Sequence, residues 1–298
     1  MSKRPIGLDR SMWRPPPRRP IGGGRLPSFV IAGLPKCGTT ALAAYLQVHP
    51  DVFVVPEKEI HFFDRKFDQG LDWYRSCFTG TKTERAVGEA TPTYVVEDET
   101  VTRMATTLPD ARIILVLRDP IARARSHYWW IRGAATYERR SFEEAVRDEM
   151  RRESETTQQY YGYLEGGCYL TYLKRLEMFY SSSATLVVLA EDLKRDAGSE
   201  FARVCRFLEV DDSVRPSNLG APINTSFRRR SDRLHYVMMR SRAYQWLPMA
   251  YKIEQWNREP VTYEPLDEDL LRDLSSWFRP HNEALSQHLG RDLTQIWS

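Results

Sequence analysis

The sequence SFVIAGLPKCGTTAL, residues 28–42, decides the fold of this chain. It begins as a short apolar run rich in β-branched residues, which is typical of a buried strand. Glycine and proline then interrupt the run, and the segment from Thr39 onward has the composition of a helix. A strand, a glycine-containing turn and a helix together aim backbone N–H groups and a helix N-terminus at one point, where an anion binds. Because Lys36 adds a positive charge to the turn, the stretch is interpreted as a phosphate-binding loop.

The loop departs from the standard P-loop, which places a lysine and then a serine or threonine directly after its second glycine. Gly33 and Gly38 have the P-loop spacing, but Thr39 stands where that lysine belongs, and Lys36 lies in the middle of the turn. Two interpretations stay open: a phosphate loop with a displaced lysine, or an ordinary strand-to-helix connection with a solvated lysine. Cys37 is interpreted as a small residue that lets the backbone approach a ligand, in preference to a reactive thiol.

Composition indicates a folded protein with an anionic ligand. The chain has 298 residues and 42% hydrophobic content, enough for one large α/β domain or two small ones. Its formal net charge of +3 suits an anionic small substrate and does not by itself indicate nucleic acid. The four cysteines are far apart without a CxxC pair, which argues against a zinc site. They show no disulfide framework, so a reducing compartment is expected.

The N-terminal residues 1–27 are rich in arginine, proline and glycine and are predicted to form a flexible arm. Such an arm either contacts nucleic acid or is an inert tail, and its composition favours the tail. No apolar run approaches the roughly 18 residues needed to span a bilayer, and the N-terminus lacks the apolar core of a signal peptide. We therefore expect a cytoplasmic protein without a membrane anchor.

Apolar segments and helical segments alternate along the rest of the chain. Strands are predicted at residues 51–56, 84–94, 112–117 and 185–190, in addition to the first. Residues 137–165 are expected to be a charged surface excursion, and the widely spaced Trp246, Trp256, Trp277 and Trp297 are expected to pack. The alternation predicts an α/β fold with a mainly parallel central sheet flanked by helices. Ligands of such sheets bind at the carboxyl ends of the strands.

Chemically suggestive residues follow the predicted strands. Glu59 and His61 are two positions apart, so both can face one side of their segment. Arg118 directly follows the strand at 112–117, and Asp119 is placed to cap a helix that continues through Ser126. Arg118 and Ser126 are therefore expected to converge on a ligand beside the sheet.

These segments resemble the sulfotransferases that use 3′-phosphoadenosine 5′-phosphosulfate (PAPS), above all the branch with the heparan sulfate enzymes and soluble bacterial relatives. The resemblance lies in the order and spacing of LPKCGTT (34–40), KEIHFF (58–63), GLDWY (70–74) and LRDP (117–120), with weaker agreement at GEATPTY (88–94) and EDL (191–193). It implies a P-loop-like sulfotransferase fold, with residues 28–298 as a single domain.

The resemblance also implies roles for individual residues. Lys36 would hold the sulfate and the leaving phosphate, Glu59 would be the general base, and His61 is the alternative base. PAPS binding is assigned to Lys36, Cys37, Gly38, Thr39, Thr40, Ala41, Arg118 and Ser126. The cysteine-bounded nucleotide loop of the heparan sulfate enzymes is missing. Its role is given to the basic turn Asn224–Arg230, hence to Arg228, Arg229 and Arg230, although a solvated charge run explains that turn equally well.

One further departure from the family, and the chemistry of the transferred group, bear on function. Several heparan sulfate enzymes have a lysine where this chain has Ala90, so their acceptor contacts at this position are not carried over to this chain. A sulfuryl group carries less negative charge than a phosphoryl group, so no metal is expected, and adenosine 3′,5′-bisphosphate (PAP) would be the product.

The expected acceptor is a hydroxyl of a small molecule, lipid or carbohydrate, with an amine as a weaker candidate. Two other functions remain open: a P-loop kinase or NTPase using Glu191 and Asp192 as metal-binding acids, and a non-catalytic nucleotide or nucleic-acid binding module.

Overall fold

The computed structural model of the chain describes most of residues 24–297. The described ranges are 24–134, 138–151, 162–220, 227–231, 233–234, 237–238, 252–253, 256–260, 263 and 265–297. Residues 1–23 of the predicted arm and residues 224–226 of the predicted basic turn lie outside them.

Five parallel strands form the central sheet, in the order β2-β3-β1-β4-β5. They are Phe29–Gly33 (β1), Val52–Val54 (β2), Ala86–Ala90 (β3), Arg112–Leu117 (β4) and Thr185–Leu189 (β5). Every predicted strand is present, which confirms the α/β fold with a parallel sheet. The chain moves from β1 to β2 and β3 on one side, and β4 then pairs with the other side of β1. The strand order therefore reverses at β1, and a ligand crevice is expected beyond the carboxyl ends of β1 and β4.

Ten α-helices have bounds in the described residues. They are Thr39–Leu46 (α1), Phe62–Arg65 (α2), Gly70–Ser76 (α3), Asp98–Thr107 (α4), Pro120–Ala134 (α5), Phe142–Arg151 (α6), Tyr169–Glu177 (α7), Ala190–Arg195 (α8), Ala197–Phe207 (α9) and Glu268–Leu289 (α10). Across the described ranges, none of the helices combines the length and apolar character that crossing a membrane requires.

The main hydrophobic core lies on the sheet, because the central strands are buried along their whole length. All five residues of β1 and of β3 are buried, as are five of the six in β4. A second cluster joins Val146 and Leu164 to Leu270, Leu274 and Phe278 of α10. Residues 137–165 are predicted to be a charged surface excursion. That prediction is only partly right, because the described part also contributes apolar side chains to this second core.

The start of α5 fixes the end of β4. Asp119 Oδ1 accepts a hydrogen bond from the N–H of Ile121 at 3.0 Å, and its Oδ2 atom accepts one from Ala122 at 3.4 Å. Pro120 occupies the first helical position, where its missing N–H has no partner to lose. The predicted cap is confirmed, and it places Arg118 in the turn between strand and helix.

The C-terminal tryptophans differ in their packing. Trp297 is 7% exposed and belongs to the main core, and Trp277 packs on the second core. Trp256 is 60% exposed, so the prediction that it packs is wrong. Trp246 lies outside the described residues.

Candidate active site

The loop after β1 is held in one shape by its backbone. Leu34 N–H donates to the Val116 carbonyl of β4 at 3.0 Å, which ties the loop to the neighbouring strand. Gly38 has φ 104°, a left-handed conformation that favours glycine, and α1 starts at the next residue. Lys36, at φ 72°, also has a left-handed backbone. The turn therefore presents the N-terminus of α1 at the crevice between β1 and β4, as an anion site requires.

Cys37 lies beneath this loop. It is fully buried, with its Sγ atom 3.7 Å from the Tyr169 hydroxyl oxygen. Burial raises the pKa of the thiol to about 11. A thiol with that pKa is a poor nucleophile at neutral pH, which agrees with its interpretation as a small loop residue.

Lys36 is a buried cation in the loop, with one acidic neighbour and three cationic neighbours. Burial lowers the pKa of its ammonium group to about 8; Glu59 acts in the opposite direction, while Arg123, Lys58 and Arg118 lower it further. The Nζ atom lies 5.7 Å from the ring centroid of Trp130. Several cations thus crowd one place, an arrangement that an anionic ligand would stabilise.

Lys58 is a site residue that the sequence analysis missed. Its Nζ atom donates hydrogen bonds to Thr40 Oγ1 at 2.5 Å and to Thr39 Oγ1 at 3.3 Å. Burial lowers its pKa to about 8, while Glu59 raises it. The sequence showed only that the P-loop lysine is absent at Thr39. That Lys58 of the KEIHFF segment reaches these hydroxyls depends on the fold.

Glu59, His61 and Asp64 form a line of charge beside the loop. His61 Nε2 lies 3.1 Å from Glu59 Oε2, and His61 Nδ1 lies 2.9 Å from Asp64 Oδ2. The structure thus brings Glu59 and His61 together, as their spacing predicts. Burial lowers the pKa of His61, but the hydrogen bonds to Asp64 and Glu59 outweigh it, so the net shift is upward. Glu59 is the more accessible of the pair, with 19% of its side chain exposed against 7% for His61.

Arg118 reaches back to the loop after β1. Its Nη1 atom donates to the Lys36 carbonyl at 3.4 Å, and its own carbonyl accepts from the Tyr169 hydroxyl at 2.7 Å. Ser126 lies on α5, which begins two residues after Arg118, and is 6% exposed. The two predicted ligands of the 3′-phosphate thus lie on the strand end and on the helix that follows it.

Arg123, on the same helix, acts on the structure of the loop. It is fully buried and donates to the carbonyl of Pro35 at 3.3 Å. It also donates to the carbonyls of Gly162 at 3.1 Å and Tyr163 at 3.0 Å. Arg123 therefore joins the loop after β1 to the segment that contains Gly162 and Tyr163.

The described part of the predicted basic turn is mainly a strand. Residues Phe227–Arg229 form β6, which pairs in antiparallel fashion with β7, Arg258–Pro260. The register places Arg228 opposite Glu259 and Arg229 opposite Arg258. The Arg230 guanidinium lies 5.5 Å from the Trp256 ring centroid and 3.7 Å from Glu259. The strand β6 packs against α5, the helix that carries Ser126.

The acids that a kinase would need are engaged in structural contacts. Glu191 Oε1 accepts a hydrogen bond from the Asp119 N–H at 2.9 Å. Asp192 is paired with Arg291 at 2.8 Å and with Arg195 at 2.7 Å. Within the described ranges, no group of three or more histidine, cysteine, aspartate or glutamate side chains is arranged to hold a metal ion.

Residues 26–254 match the sulfotransferase domain family, and the chain belongs to this family. The resemblance drawn from the sequence motifs is thereby confirmed. Its members include proteins of very different origin, and three of them illustrate the range.

Heparan sulfate glucosamine 3-O-sulfotransferase 3B1 of Homo sapiens is 28% identical over 282 residues, which are 91% of this chain and 65% of that protein. The membrane-associated sulfotransferase kil1 of Dictyostelium discoideum is 38% identical over 132 residues, 42% of this chain and 28% of that protein. A crystal structure of a sulfotransferase from Alicyclobacillus acidocaldarius is 27% identical with a TM-score of 0.67, covering 92% of this chain and 99% of that one. The chain thus has the sulfotransferase fold, and it spans about 65% of the length of the human relative.

Proposed function

We propose that this chain is a PAPS-dependent sulfotransferase that moves a sulfuryl group to an acceptor hydroxyl, with Glu59 as the general base. The observation that carries the proposal is a pair of buried lysines, Lys36 in the loop and Lys58, whose Nζ atom donates to the hydroxyls of Thr39 and Thr40 at the N-terminus of α1. Burial lowers the pKa of both ammonium groups to about 8. Two desolvated ammonium groups with Glu59 as their acidic neighbour fit an anion such as a phosphosulfate.

The residues of the loop suit the 5′-phosphosulfate end of PAPS. Lys36, Lys58 and the hydroxyls of Thr39 and Thr40 would supply cations and donors, and the backbone from Cys37 to Ala41 would supply the N–H groups of the helix start. Arg118 and Ser126 would hold the 3′-phosphate, with β6 and Arg228–Arg230 as a further basic element on that side. When bound, PAPS supplies a sulfuryl group whose leaving group is a phosphate.

Glu59 is the better placed of the two candidate bases. Both ring nitrogens of His61 already have carboxylate partners, and the ring is nearly inaccessible. The His61 side chain can therefore orient Glu59, while the more exposed Glu59 carboxylate takes the proton of the acceptor hydroxyl. General-base action of this kind contributes about 10²–10⁴-fold to turnover.

Lys36 and Lys58 would act on the opposite side of the reacting group. A fixed cation close to the leaving oxygen stabilises the charge that develops there, which is the largest contribution in many group transfers. Base and cations converge on one place, because Glu59 is an electrostatic neighbour of both lysines.

The acceptor is proposed as a hydroxyl on a carbohydrate, lipid or small molecule. The relatives named as heparan sulfate glucosamine 3-O-sulfotransferases make a sugar hydroxyl the first choice. Incubation of the protein with ³⁵S-labelled PAPS and an extract of the source cells, followed by identification of the labelled product, tests this choice. Label in a hydroxyl-bearing product supports the proposal, and label on an amine would replace it.

Ligand-dependent stability separates a sulfotransferase from a kinase. We expect PAP without metal to raise the unfolding temperature; at 100 times its dissociation constant it stabilises by roughly 2.7 kcal/mol. ATP with Mg²⁺ serves as the comparison. If ATP with Mg²⁺ raises the unfolding temperature and PAP does not, the result would contradict the proposal and favour a kinase.

A further inference from the structure

A buried carboxylate that the proposed reaction does not use lies beneath the Glu59 segment. Glu89, on the internal strand β3, is 1% exposed. Its carboxylate accepts hydrogen bonds from the hydroxyls of Tyr74 at 2.6 Å, Thr91 at 2.6 Å and Tyr94 at 3.1 Å. Burying a carboxylate among neutral hydroxyls is costly, so this group calls for a physical explanation.

Two of the three hydroxyls continue to the backbone of the Glu59 segment. The Tyr94 hydroxyl oxygen accepts a hydrogen bond from the Phe62 N–H at 2.9 Å. Thr91 Oγ1 lies 3.5 Å from the His61 N–H, at the long end of the range. Each of these hydroxyls uses its O–H to donate a hydrogen bond to Glu89. The lone pairs of the hydroxyl oxygen are then free to accept hydrogen bonds from the two amides. A chain of this kind strengthens each of its hydrogen bonds.

The two amides belong to the turn that carries Glu59, His61 and Asp64. His61 has φ 57°, a left-handed backbone, and α2 begins at Phe62. The first N–H groups of a helix have no partner within the helix and need an external acceptor. Tyr94 and Thr91 supply acceptors at this point, directly after Glu59.

We propose that Glu89 is a positioning residue for the reaction: through the hydroxyls of Tyr94 and Thr91 it holds the 59–64 turn so that Glu59 faces the acceptor. This inference rests on the proposed role of Glu59 as the base. Burial raises the pKa of Glu89 to about 7, while the hydrogen bonds from Thr91, Tyr74 and Tyr94 act in the opposite direction. In its ionised form the group only accepts hydrogen bonds, so it fixes the direction of every hydroxyl around it.

Tyr94 and Tyr74 form a matched pair for the test. Both are fully buried, both pack on Phe63, and both donate to Glu89. Of these two hydroxyls, the one of Tyr94 also accepts from the Phe62 amide. Tyr94→Phe and Tyr74→Phe each keep the ring and remove one hydrogen bond to Glu89, so a purely structural role for the network predicts similar effects.

We expect Tyr94→Phe to lower kcat about tenfold, the loss expected from one hydrogen bond. Tyr74→Phe should stay within about twofold of the wild type, and both variants should bind PAP as the wild type does. Amide exchange at Phe62, followed by NMR or mass spectrometry, should quicken in Tyr94→Phe and not in Tyr74→Phe. In the double variant Glu89→Gln/Tyr94→Phe, the fold-loss of kcat should be smaller than the product of the fold-losses in the two single variants. Both substitutions act on one chain of hydrogen bonds, so their effects overlap.

Equal losses of kcat in the two tyrosine variants, or unchanged amide exchange at Phe62 in Tyr94→Phe, would overturn the inference. If Tyr94→Phe fails to fold, Thr91→Val with Thr91→Ser as its hydroxyl-retaining rescue makes the same test at His61. A wild type that transfers no sulfuryl group would overturn the proposed function instead, and amide exchange at Phe62 would still decide whether the network holds the turn.

Discussion

The Nζ atom of Lys58 donates a hydrogen bond to Thr40 Oγ1 at 2.5 Å, so a lysine from the turn after β2 reaches the N-terminus of the helix that follows β1. A standard P-loop has its lysine directly after the second glycine, at the position of Thr39 here. Lys58 therefore restores a cation to that place from another segment of the chain. Its neighbour in sequence, Glu59, then lies next to the same anion site.

Replacing Lys58 should weaken the binding of PAP. Loss of a charge-assisted contact costs about 1.5–3 kcal/mol, which corresponds to roughly a 10- to 100-fold rise in the dissociation constant. Calorimetric titration of Lys58→Ala with PAP measures this. Lys174→Ala, which removes an exposed lysine on α7, is the control for net charge. An equal change in the two variants would remove Lys58 from the site.

The affinity for PAP should fall as the pH rises above about 8. Lys36 and Lys58 both have pKa values of about 8 in the free protein. A bound anion favours their charged forms and raises both values, so binding takes up protons at and above pH 8 and none well below it. Titrations at pH 8.5 in buffers of different ionisation enthalpy report the number of protons taken up. A pH-independent dissociation constant between pH 7 and pH 9 would contradict this assignment.

Arg118→Ala should discriminate between ligands with and without a 3′-phosphate. Arg118 lies at the end of β4, next to the helix that carries Ser126. We expect the variant to bind PAP about 10- to 100-fold more weakly, and adenosine 5′-phosphate as the wild type does. Fluorescence or calorimetric titration with the two nucleotides makes the comparison. Unchanged PAP affinity in a folded variant would exclude Arg118 from the 3′-phosphate site.

Sequence periodicity was enough to predict the sheet. Buried parallel strands are continuous apolar runs, and the run Arg112–Leu117 is present as β4 with the predicted bounds. The cap at Asp119 was also predictable, because its signal is local: an acceptor side chain followed by proline at the first helical position. Local patterns of this kind survive folding, since the interactions that they encode lie within a few residues.

The rest of the site depends on contacts between distant segments. Lys58 contacts Thr39 and Thr40, which precede it by 19 and 18 positions in the sequence. Part of the charge run at Arg228–Arg230 lies in a strand, because β7 pairs with it some thirty residues later. Glu89 lies in an otherwise apolar strand. Thr91 and Tyr94 follow it closely in the sequence, but periodicity does not reveal that their hydroxyls, and that of Tyr74 in α3, turn back to its carboxylate. Such partners are set by topology, so periodicity alone does not reveal them.

The most direct test of the account is the turnover of Glu59→Gln with labelled PAPS and the acceptor identified from the cell extract. Glutamine keeps the size of the side chain and cannot take the proton, so kcat should fall about 10²–10⁴-fold. Measured at pH 6, where Lys36 and Lys58 stay charged even without the neighbouring carboxylate, the affinity for PAP should not fall, because these lysines and Arg118 are retained. Near-normal turnover in a folded Glu59→Gln protein would contradict the account and make His61 the leading candidate for the base.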